Sequence, residues 1–403
     1  MNPEKLQSLV AELFEEVRTW REHMHRNPEP SFQEKNTMSF VSEILSRYGI
    51  EHETNVAETG VVAWIGADHH TAWIGADHHT KKDNCIGLRA DLDALPIQEE
   101  NDVPYKSEVD GWMHACGHDV HTSILLGAAV ILQANRNDLK QPLKLIFQPG
   151  EEMNPGGASL MMKAGVLHHP TVEKMYALHV FPEMEVGNIG LRPGLYMASS
   201  DELHVNIKGV GGHGALPEKC VNPIEMGALW MSRVKARFMD ECPEAVPHVL
   251  TFGRFEALGS TNVIPSEAHI KGTFRTMDEI WRAKAYTILE SEAAEVSSLF
   301  GGQIALTISK GYPFLKNDEK LTEEVGELFS EVFGSEKIHE LALRMTAEDF
   351  AFYSQEIPVC FFRLGVGNKK KGITYAVHHP RFDIDSEALK MGMMAMCSIA
   401  FKG

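Results

Sequence analysis

Basic residues are scarce in this sequence relative to acidic ones. The chain has 38 Lys and Arg against 56 Asp and Glu, so its formal net charge is −18 at pH 7. A protein that binds nucleic acid in general needs a basic face, because contacts to the phosphate backbone supply much of the affinity. An acidic surface favours solubility instead, and we expect no nucleic-acid partner.

Long apolar runs are also missing. No apolar segment approaches the ~20 residues that a helix needs to cross a bilayer. The first residues, M-N-P-E-K-L-Q-S-L-V-A-E-L-F, combine acidic and apolar positions at helical spacing, unlike the basic start of a signal peptide. We therefore expect no membrane partner.

The cysteines show no disulfide-type spacing. The six of them are scattered along the chain at Cys85, Cys116, Cys220, Cys242, Cys360 and Cys397. In a chain of 403 residues this pattern is typical of reduced thiols rather than of a disulfide framework. We therefore expect a cytoplasmic protein.

Strands and helices alternate through the first half of the chain. Strand patterns such as C-I-G-L-R-A-D and L-K-L-I-F-Q are separated by helical ones such as I-L-L-G-A-A-V-I-L. This order predicts an α/β fold with a mostly parallel sheet. The order then becomes β-α-β-β-α-β, with Pro223 at the start of one helix, which is typical of a ferredoxin-like sandwich. The predicted domains are a larger one in two parts, 1–198 and 315–403, and a smaller inserted one, 199–314.

Two stretches suggest binding sites that their context does not support. The nonapeptide A-W-I-G-A-D-H-H-T fills residues 63–71 and recurs unchanged at 72–80. Strand faces have a period of two, so we expect one copy to be a strand and the other an extended loop, rather than a metal site. The stretch G-V-G-G-H-G, at 209–214, matches G-x-G-x-x-G, but Pro217 follows at once and the helix starts only at Pro223. We interpret it as a bend beside a functional His.

Side chains of metal-binding types follow the predicted strands. In doubly wound sheets, ligands bind outside the carboxyl ends of the strands. A predicted helix cap at Thr122 or Ser123 would leave two of the candidates on the loop before that helix. The candidates are Asp91, Asp93, Cys116, His118, Glu151, Glu152, His179, His378 and His379. We expect them to converge on one edge of the sheet.

This set of donor atoms predicts a metal hydrolase. Cysteine, histidine and carboxylate together suit zinc, or Mn, Co or Ni in a mixed site. Of the adjacent Glu151 and Glu152, one can bind metal while the other takes a proton from water whose pKa the metal has lowered. A solvated acidic turn is the alternative interpretation of this pair taken alone.

Several motifs resemble those of the M20 metallopeptidase family. They are H-A-C-G-H-D-V-H-T, R-A-D-L-D-A-L-P-I, Q-P-G-E-E, A-L-H-V, G-G-H-G-A-L-P, T-N-V-I-P, T-A-E-D-F-A-F and H-H-P-R-F-D. The likeness is to the amidohydrolase branch of aminoacylases, hippurate hydrolases and plant auxin-conjugate hydrolases. It covers nearly the whole chain, from H-R-N-P-E-P-S-F-Q-E onward. The tandem nonapeptide departs from the family pattern.

The resemblance implies a centre of two divalent metal ions. The implied ligands are Cys116, His118, Glu152, His179 and His378. His379 is the alternative to His378, because the last His of the family usually stands two residues before the Pro. Glu151 matches the general base of the family. Asp91 matches an active-site Asp, with Asp93 as the alternative.

The resemblance also implies a role for the inserted domain. It would be a lid that often forms a dimer surface, so we expect a homodimer or a higher homo-oligomer. His213 resembles the His that stabilises the tetrahedral oxyanion. Asn262 and Arg275 resemble residues that hold the carboxylate of the substrate, a task that suits a guanidinium fork.

The implied activity is hydrolysis of N-acyl amino acids, such as N-acetyl or N-benzoyl derivatives, to a carboxylic acid and a free amino acid. A metallo-dipeptidase or carboxypeptidase acting on short peptides is the alternative within the same chemistry. From other classes, a nicotinamide-dependent oxidoreductase would use the glycine-rich stretch, and a metal-free binding protein would share the scaffold. The intact Glu151 argues against the last, since a non-catalytic relative has no need of a base.

Overall fold

The computed structural model describes residues 1–66 and 84–403. Only the first residues of the tandem nonapeptide lie in this part, in the strand Gly60–Ile65; the rest falls outside the described residues, so its predicted strand and loop stay predictions. The described chain forms two compact units. Met1–Gly194, Lys316–Ala342 and Phe352–Gly403 build the first, and Leu195–Leu315 with Leu343–Ala351 build the second.

Helices and strands alternate along the chain. The described helices are α1 (Pro3–Arg26), α2 (Lys35–Arg47), α3 (His118–Ala134), α4 (Gly157–Lys163), α5 (Pro223–Glu241), α6 (Glu279–Phe300), α7 (Glu319–Phe333), α8 (Ala351–Ser354) and α9 (Glu387–Lys402). The described strands are β1 (Glu51–Val56), β2 (Gly60–Ile65), β3 (Asn84–Asp91), β4 (Leu143–Gln148), β5 (Thr171–Glu185), β6 (Ile189–Leu191), β7 (Gly194–Met197), β8 (Asp201–Lys208), β9 (Gly212–His213), β10 (His248–Glu256), β11 (Val263–Ile264), β12 (Glu267–Thr276), β13 (Gln303–Lys310), β14 (Leu315–Asn317), β15 (Ile338–Glu340) and β16 (Val359–Gly367). Among these residues, none of the helices combines the length and the apolar composition that a membrane crossing requires.

The sheet of the first unit is parallel at its centre. Its described strands lie in the order β1-β2-β4-β3-β5-β16-β6-β15. The pairs β4–β3, β3–β5, β5–β16 and β6–β15 are parallel, whereas β1–β2, β2–β4 and β16–β6 are antiparallel. β2, β4 and β16 are buried along their whole length, which is why they appear in the sequence as continuous apolar runs. The predicted α/β fold with a mostly parallel sheet is confirmed.

α3 is the most deeply buried helix next to this sheet. Nearly all of its residues are buried, and it packs against α1, α9 and β3. α1 presents Val10, Phe14 and Val17 to the same core at helical spacing. Because neighbours hold α3 on several sides, the core fixes the position of its first turn, which begins at His118.

The second unit is an antiparallel sheet covered by two helices. Its strands lie in the order β10-β12-β8-β13, and α5 and α6 pack on one another and on the sheet around Trp230, Phe238 and Trp281. α5 begins at Pro223, as predicted, with the side chain of Asn222 accepting from its first turn. Apart from the short pair β9 and β11, the chain order is β8-α5-β10-β12-α6-β13, so the predicted β-α-β-β-α-β order is confirmed.

The chain passes between the units near the predicted boundaries of the inserted domain. The division lies after Gly194 and after Leu315. The segment Leu343–Ala351, which the sequence places with residues 315–403, also joins the second unit. There the Arg344 amide donates to a carbonyl of β7 at 2.9 Å, within an irregular segment that no sequence period marks. The roles of the two units as catalytic domain and lid stay predictions.

Candidate metal centre

α3 begins earlier than the sequence predicts. His118 is its first residue and Gly117 its N-cap, so the predicted cap at Thr122 or Ser123 is wrong. The hydroxyl of Thr122 donates instead to the carbonyl of Asp91 at 2.7 Å, and the hydroxyl of Ser123 donates to a carbonyl within the helix. His118 therefore lies in the first turn of a buried helix rather than on a loop.

Gly117 sets the direction of the chain between two predicted ligands. Its φ is +85°, in the left-handed region, and a Cβ on it would lie 2.6 Å from a methyl carbon of Val180. Only glycine meets both requirements without strain. Gly117 thus allows Cys116 and His118 to reach the same cluster from either side of a sharp turn.

Side chains from four separate segments meet around Cys116. Its Sγ lies 3.3 Å from His179 Nε2 and 3.3 Å from His378 Nε2. His378 Nε2 also lies 3.3 Å from Glu152 Oε1. Among the groups whose donor atoms lie within 4.8 Å of one another, three contain only predicted ligands and the predicted base: Cys116–His118–His179, Cys116–Glu152–His378 and His118–Glu151–Glu152. The structure therefore brings together every predicted ligand and the predicted base.

His118 and His179 each make a backbone hydrogen bond through Nδ1, so that Nε2 faces the cluster. His118 Nδ1 donates to the carbonyl of Asp93 at 2.8 Å, and His179 Nδ1 donates to the carbonyl of Val180 at 2.8 Å. A carbonyl oxygen only accepts, so Nδ1 of each ring carries a proton and Nε2 is the nitrogen that can hold a metal. Metal-binding histidines commonly show such a bond at the other nitrogen.

His121 lies close by, but both of its nitrogens are in use. Its Nε2 accepts from the Val180 amide at 2.9 Å, and its Nδ1 donates to Asp91 Oδ1 at 2.6 Å. Arg89 Nη1 donates to the other oxygen of Asp91 at 2.6 Å. Burial would raise the pKa of Asp91, but the histidines and Arg89 outweigh it and hold that pKa well below its ordinary value. His121 thus orients the charged carboxylate of Asp91 and has no nitrogen lone pair available to a metal ion.

Asp93 joins His118 to residues 149–152, here called the glutamate loop. Asp93 Oδ1 accepts from the amide of Glu151 at 3.1 Å and from His118 Nδ1 at 3.1 Å. Its Oδ2 accepts from the amide of Glu152 at 3.0 Å and from the Ser31 hydroxyl at 2.6 Å. Burial would raise the pKa of Asp93, but these donors lower it. Asp91 and Asp93 both lie beside His118, and which of them is the active-site Asp stays a prediction.

The last loop separates His378 from its neighbour His379. His378 has a φ of +65°, uncommon for a residue with a Cβ, and its amide donates to the carbonyl of Ala115 at 2.8 Å. His379 Nδ1 accepts from the amide of Arg381 at 3.0 Å, and its ring stacks on Tyr375 at 4.3 Å. The geometry therefore favours His378 as the candidate ligand.

The cluster favours a positive charge at its centre. Burial and the neighbouring carboxylates, Glu152 first, raise the pKa of the Cys116 thiol well above its ordinary value. Burial would lower the pKa of His118, but the two neighbouring aspartates raise it to about 10. Burial also holds the pKa of His179 well below its ordinary value, so this ring stays neutral. A cation bound here would be stabilised by the same charges and would favour the thiolate.

His118 Nε2 is buried and has no hydrogen-bond partner among residues 1–66 and 84–403. Glu152 Oε1 makes no hydrogen bond of good geometry among these residues either, although His378 Nε2 lies 3.3 Å away. Buried polar atoms nearly always have a partner, so two such atoms beside a thiol require an explanation. Imidazole nitrogen, carboxylate oxygen and thiolate sulfur are the donors that zinc and similar divalent metals take. The residues present therefore fit the predicted metal ions.

The sequence predicts that His179 ends a strand, but in the structure it lies within β5. β5 continues to Glu185 because β16 pairs with it along this length. On its other side β3 pairs with β5 only as far as Ala177. Leu178 and Val180 belong to the hydrophobic core, so His179 between them points to the opposite face of the sheet.

One predicted catalytic residue, His213, and the two predicted substrate-binding residues, Asn262 and Arg275, belong to the second unit. His213 is on β9, which pairs with β11, and the amide of Gly214 donates to the carbonyl of Asn262 at 2.8 Å. His213 and Asn262 are therefore neighbours. Arg275 lies on β12, and its Nη1 donates to the carbonyl of Met345 at 3.3 Å. Burial lowers the pKa of Arg275 from its ordinary value.

The glycine-rich stretch 209–214 forms a bend around β9 rather than a phosphate loop. A short 3₁₀ turn, Pro217–Lys219, separates β9 from α5. A phosphate loop needs a helix N-terminus directly after its glycines. The described residues therefore give the nucleotide interpretation no support.

Sequence reasoning missed a layer of polar residues behind the cluster. Arg21 Nε donates to Asp119 Oδ2 at 2.8 Å, and His25 Nδ1 lies 2.8 Å from the same oxygen. Ser31 and Glu34 bond to Asp93 and to the glutamate loop. The motif H-R-N-P-E-P-S-F-Q-E contains three of these residues and was the available signal.

Comparison with known proteins identifies the family. The model of peptidase family M20/M25/M40 matches residues 87–402. The chain belongs to this family. Thermostable carboxypeptidase 2 of Saccharolobus solfataricus is 33% identical to this M20 chain over 402 residues, which cover 99% of the chain and 98% of the relative. N-acyl-L-amino acid amidohydrolase of Geobacillus stearothermophilus is 36% identical over 323 residues, 79% of the chain and 83% of the relative.

A solved structure supports the same conclusion. The crystal structure of Bacillus subtilis YXEP protein, a dinuclear metal binding peptidase from the M20 family, has a TM-score of 0.78 and 30% identity over 97% of this chain and 98% of that one. The predicted M20 resemblance and the predicted metal-dependent hydrolase are thus confirmed. This M20 enzyme is a hydrolase that uses divalent metal ions.

Proposed function

We propose that this M20 enzyme hydrolyses the amide bond of N-acyl amino acids, giving a carboxylic acid and a free amino acid. The observation that carries the proposal is the position of Glu151, which is buried in a cluster of metal-type donors and adjacent in sequence to Glu152. This arrangement supports water activation beside a metal. The 36% identity to an N-acyl-L-amino acid amidohydrolase supports the substrate class.

In this proposal five residues bind the metal ions and a sixth, Glu151, acts as the base. The proposed ligands of two divalent ions, Zn, Mn, Co or Ni, are Cys116, His118, Glu152, His179 and His378. When bound, the ions supply a Lewis acid for the acyl carbonyl and lower the pKa of water. Glu151 takes the proton of that water and later gives it to the departing amine nitrogen. Asp93 holds the backbone amide of Glu151 at 3.1 Å, which limits where this carboxylate can point.

Asp91 is the proposed active-site Asp. It lies 3.7 Å from His118 Nε2 and is kept charged by Arg89 and His121. A fixed negative charge beside His118 increases the affinity of the cluster for a cation. It also leaves Glu151 as the carboxylate whose proton can be exchanged during the reaction.

The second unit would supply the remaining contacts to the substrate. We propose that His213 stabilises the tetrahedral oxyanion and that Asn262 and Arg275 hold the substrate carboxylate. A guanidinium can donate two parallel hydrogen bonds to a carboxylate, which suits Arg275 to this task. We further propose that this unit forms the contact of a homodimer or higher homo-oligomer and that the enzyme works in the cytoplasm.

A metallo-dipeptidase or carboxypeptidase is the second candidate. The 33% identity to a thermostable carboxypeptidase over 99% of the chain favours it. The two activities break the same type of bond and need the same base. They differ in the group on the acyl side, which is an uncharged acyl chain in one substrate and carries a free ammonium in the other.

Paired substrates separate these candidates. Initial rates would be measured for N-acetyl and N-benzoyl amino acids and for unblocked dipeptides with the same C-terminal residue, after chelation and reloading with Zn, Mn, Co or Ni in turn. We expect kcat/KM to be at least about tenfold higher for the blocked substrates, because a site built for an apolar acyl group leaves an ammonium poorly solvated. The opposite order would favour the carboxypeptidase.

A further inference from the structure

Three consecutive backbone amides of the glutamate loop bond to buried carboxylates. Gly150 N donates to Glu34 Oε1 at 2.8 Å, and the amides of Glu151 and Glu152 donate to Asp93 at 3.1 and 3.0 Å. Glu34 is 0% exposed and Asp93 is 1% exposed. Two acidic side chains, rather than one, thus fix the backbone that carries the proposed base.

Residues 31–34 approach the loop through successive contacts. The Ser31 hydroxyl donates to Asp93 at 2.6 Å. A Cβ on Gly150 would lie 2.3 Å from a ring carbon of Phe32, so the ring packs directly on the backbone of the loop. Gly150 has a φ of +60°, in the left-handed region. Because glycine has the widest choice of backbone conformations, Gly150 needs such outside contacts to keep one of them.

Glu34 is held in place from its other oxygen. The hydroxyl of Thr59, itself 3% exposed, donates to Glu34 Oε2. Each carboxylate oxygen of Glu34 therefore has its own donor, which orients the group toward Gly150. Burial first, and then the charge of Asp93, raise the pKa of Glu34 to about 7. An acidic group kept in so unfavourable a place is more common near functional sites than elsewhere.

We propose that Glu34 is a positioning residue for the general base: it holds the amide of Gly150 so that the next residue, Glu151, points into the metal cluster. This inference rests on the proposed role of Glu151. Asp93 alone would hold the amides of Glu151 and Glu152 but would leave the amide of Gly150 without its acceptor. A shift of about 1 Å in a catalytic group can cost roughly 100-fold in rate.

The test compares three variants of the full chain. Glu34→Ala removes the acceptor. Glu34→Gln keeps it, because the amide oxygen can accept from Gly150 while the amide nitrogen donates to the Thr59 hydroxyl. Glu29→Ala is the matched control: its carboxylate accepts from the amides of Asn36 at 3.1 Å and Thr37 at 2.8 Å at the start of α2, and its side chain makes no described bond to the glutamate loop.

Turnover would be measured at saturating metal with the best substrate of the screen described above, blocked or unblocked. We expect kcat to fall about 10- to 100-fold in Glu34→Ala with KM changed by less than about threefold. Glu34→Gln should stay within about threefold of the wild type, and so should Glu29→Ala. If Glu34→Ala does not fold, Glu34→Met, which fills a similar volume without an acceptor, takes its place.

Amide hydrogen exchange of the metal-free protein gives a second readout. Peptides that span residues 149–152 should exchange faster in Glu34→Ala than in the wild type, because the Gly150 amide loses its acceptor. They should be unchanged in Glu29→Ala and nearly unchanged in Glu34→Gln. This readout depends neither on bound metal nor on the choice of substrate.

Three results would overturn the inference. These are a normal kcat in Glu34→Ala or Glu34→Met, a Glu34→Gln variant as slow as these, and unchanged exchange of the loop. Glu151→Gln, assayed in parallel, keeps the two proposals apart. If Glu151→Gln is inactive while Glu34→Ala is normal, only the positioning role fails, whereas an active Glu151→Gln means that the proposed base is wrong.

Discussion

Two clusters of buried charged side chains involve adjacent residues of α3. One is at Asp119, where Arg21 and His25 lie 2.8 Å from the carboxylate, and Arg21 also lies 3.3 Å from Asp383. The other is at His118, where the predicted metal ligands meet. In the first cluster, Asp119 is paired with two cationic side chains of the chain itself. In the second, carboxylates surround Cys116 and, together with burial, raise the pKa of its thiol.

Two carboxylates show the same contrast. Burial would raise the pKa of Asp119, but Arg21 and His25 outweigh it and hold that pKa well below its ordinary value. For Glu34, burial and the charge of Asp93 act together and raise the pKa to about 7. Removing one partner of a paired buried charge destabilises the fold, whereas a cluster with excess negative charge is suited to bind cations. Substitutions in the two clusters should therefore affect different properties.

The largest effect is expected for Glu151→Gln. The amide keeps the size of the side chain but cannot accept the proton of water, so kcat should fall about 1,000-fold or more. Metal content, measured by elemental mass spectrometry after gel filtration, should stay at the wild-type value because Glu151 is not a proposed ligand. Glu152→Gln is the matched variant one residue later and should lose metal as well as turnover. A Glu151→Gln enzyme with near-normal kcat would refute the assignment of the base.

Cys116→Ala comes next. It removes the thiol at the centre of the cluster, and we expect metal affinity to fall by at least about 100-fold, since loss even of a residue that only supports a ligand costs 10- to 100-fold. Cys397→Ala is the control, because this buried thiol lies in α9, where its sulfur is 3.9 Å from the carbonyl of Ala128. Titration against a metal-sensitive dye measures the metal affinity of Cys116→Ala and of Cys397→Ala. Equal metal affinity in the two variants would contradict a ligand role for Cys116.

Arg21→Met probes the other cluster. It leaves Asp119 buried without its main counter-charge, so the free energy of unfolding in urea should fall by about 3–5 kcal/mol. kcat of the folded fraction should change by less than about threefold, since Arg21 contacts no proposed ligand. The control is Arg18→Met on the same helix, whose exposed pairs with Glu15 and Glu22 are worth about 0–1 kcal/mol. Lost turnover with unchanged stability would mean that the two clusters are not separate in function.

The smallest effect concerns the pH dependence of stability at Glu34. Its pKa is about 7 in the folded chain and 4.5 in its ordinary state. The folded state therefore binds the proton more tightly, and stability should decrease as pH rises from about 4.5 through about 7. Glu34→Gln, which mimics the protonated form, should lose this dependence and gain about 1–3 kcal/mol relative to the wild type at pH 8. Unfolding curves recorded in chelator at pH 5 and pH 8 measure the free energy of unfolding of the wild type and of Glu34→Gln. The same pH dependence in the two proteins would contradict the raised pKa of Glu34.

The residues of the cluster at His118 could be predicted from the sequence because their chemical types are rare and their motifs are distinctive. Cys116, His118 and the pair Glu151 and Glu152 each follow or precede a strong helix or strand pattern. The start of α3 could not be placed in the same way. Thr122 has the residue type of a helix cap, but its hydroxyl is taken by the carbonyl of Asp91, a tertiary contact that no local pattern contains.

The residues of the cluster at Asp119 could not be predicted because their partners are decided by packing. Arg21 and Asp119 are 98 residues apart, and on α1 Arg21 looks like one more surface arginine. The predicted end of β5 was wrong for a related reason, because pairing with β16 extends the strand beyond His179. Local patterns identify elements and reactive side chains, whereas the length of a strand and the partner of a charge are decided by other parts of the chain.

Cys116 and His378, whose side chains lie 3.3 Å apart, are separated by 262 residues along the chain. A cation held by both would therefore act as a removable cross-link that closes a very large loop, and closing such a loop restricts the unfolded chain far more than the folded one. The unfolding temperature of the protein would then depend on the concentration of free metal. A chelator would destabilise the first unit as well as stop turnover.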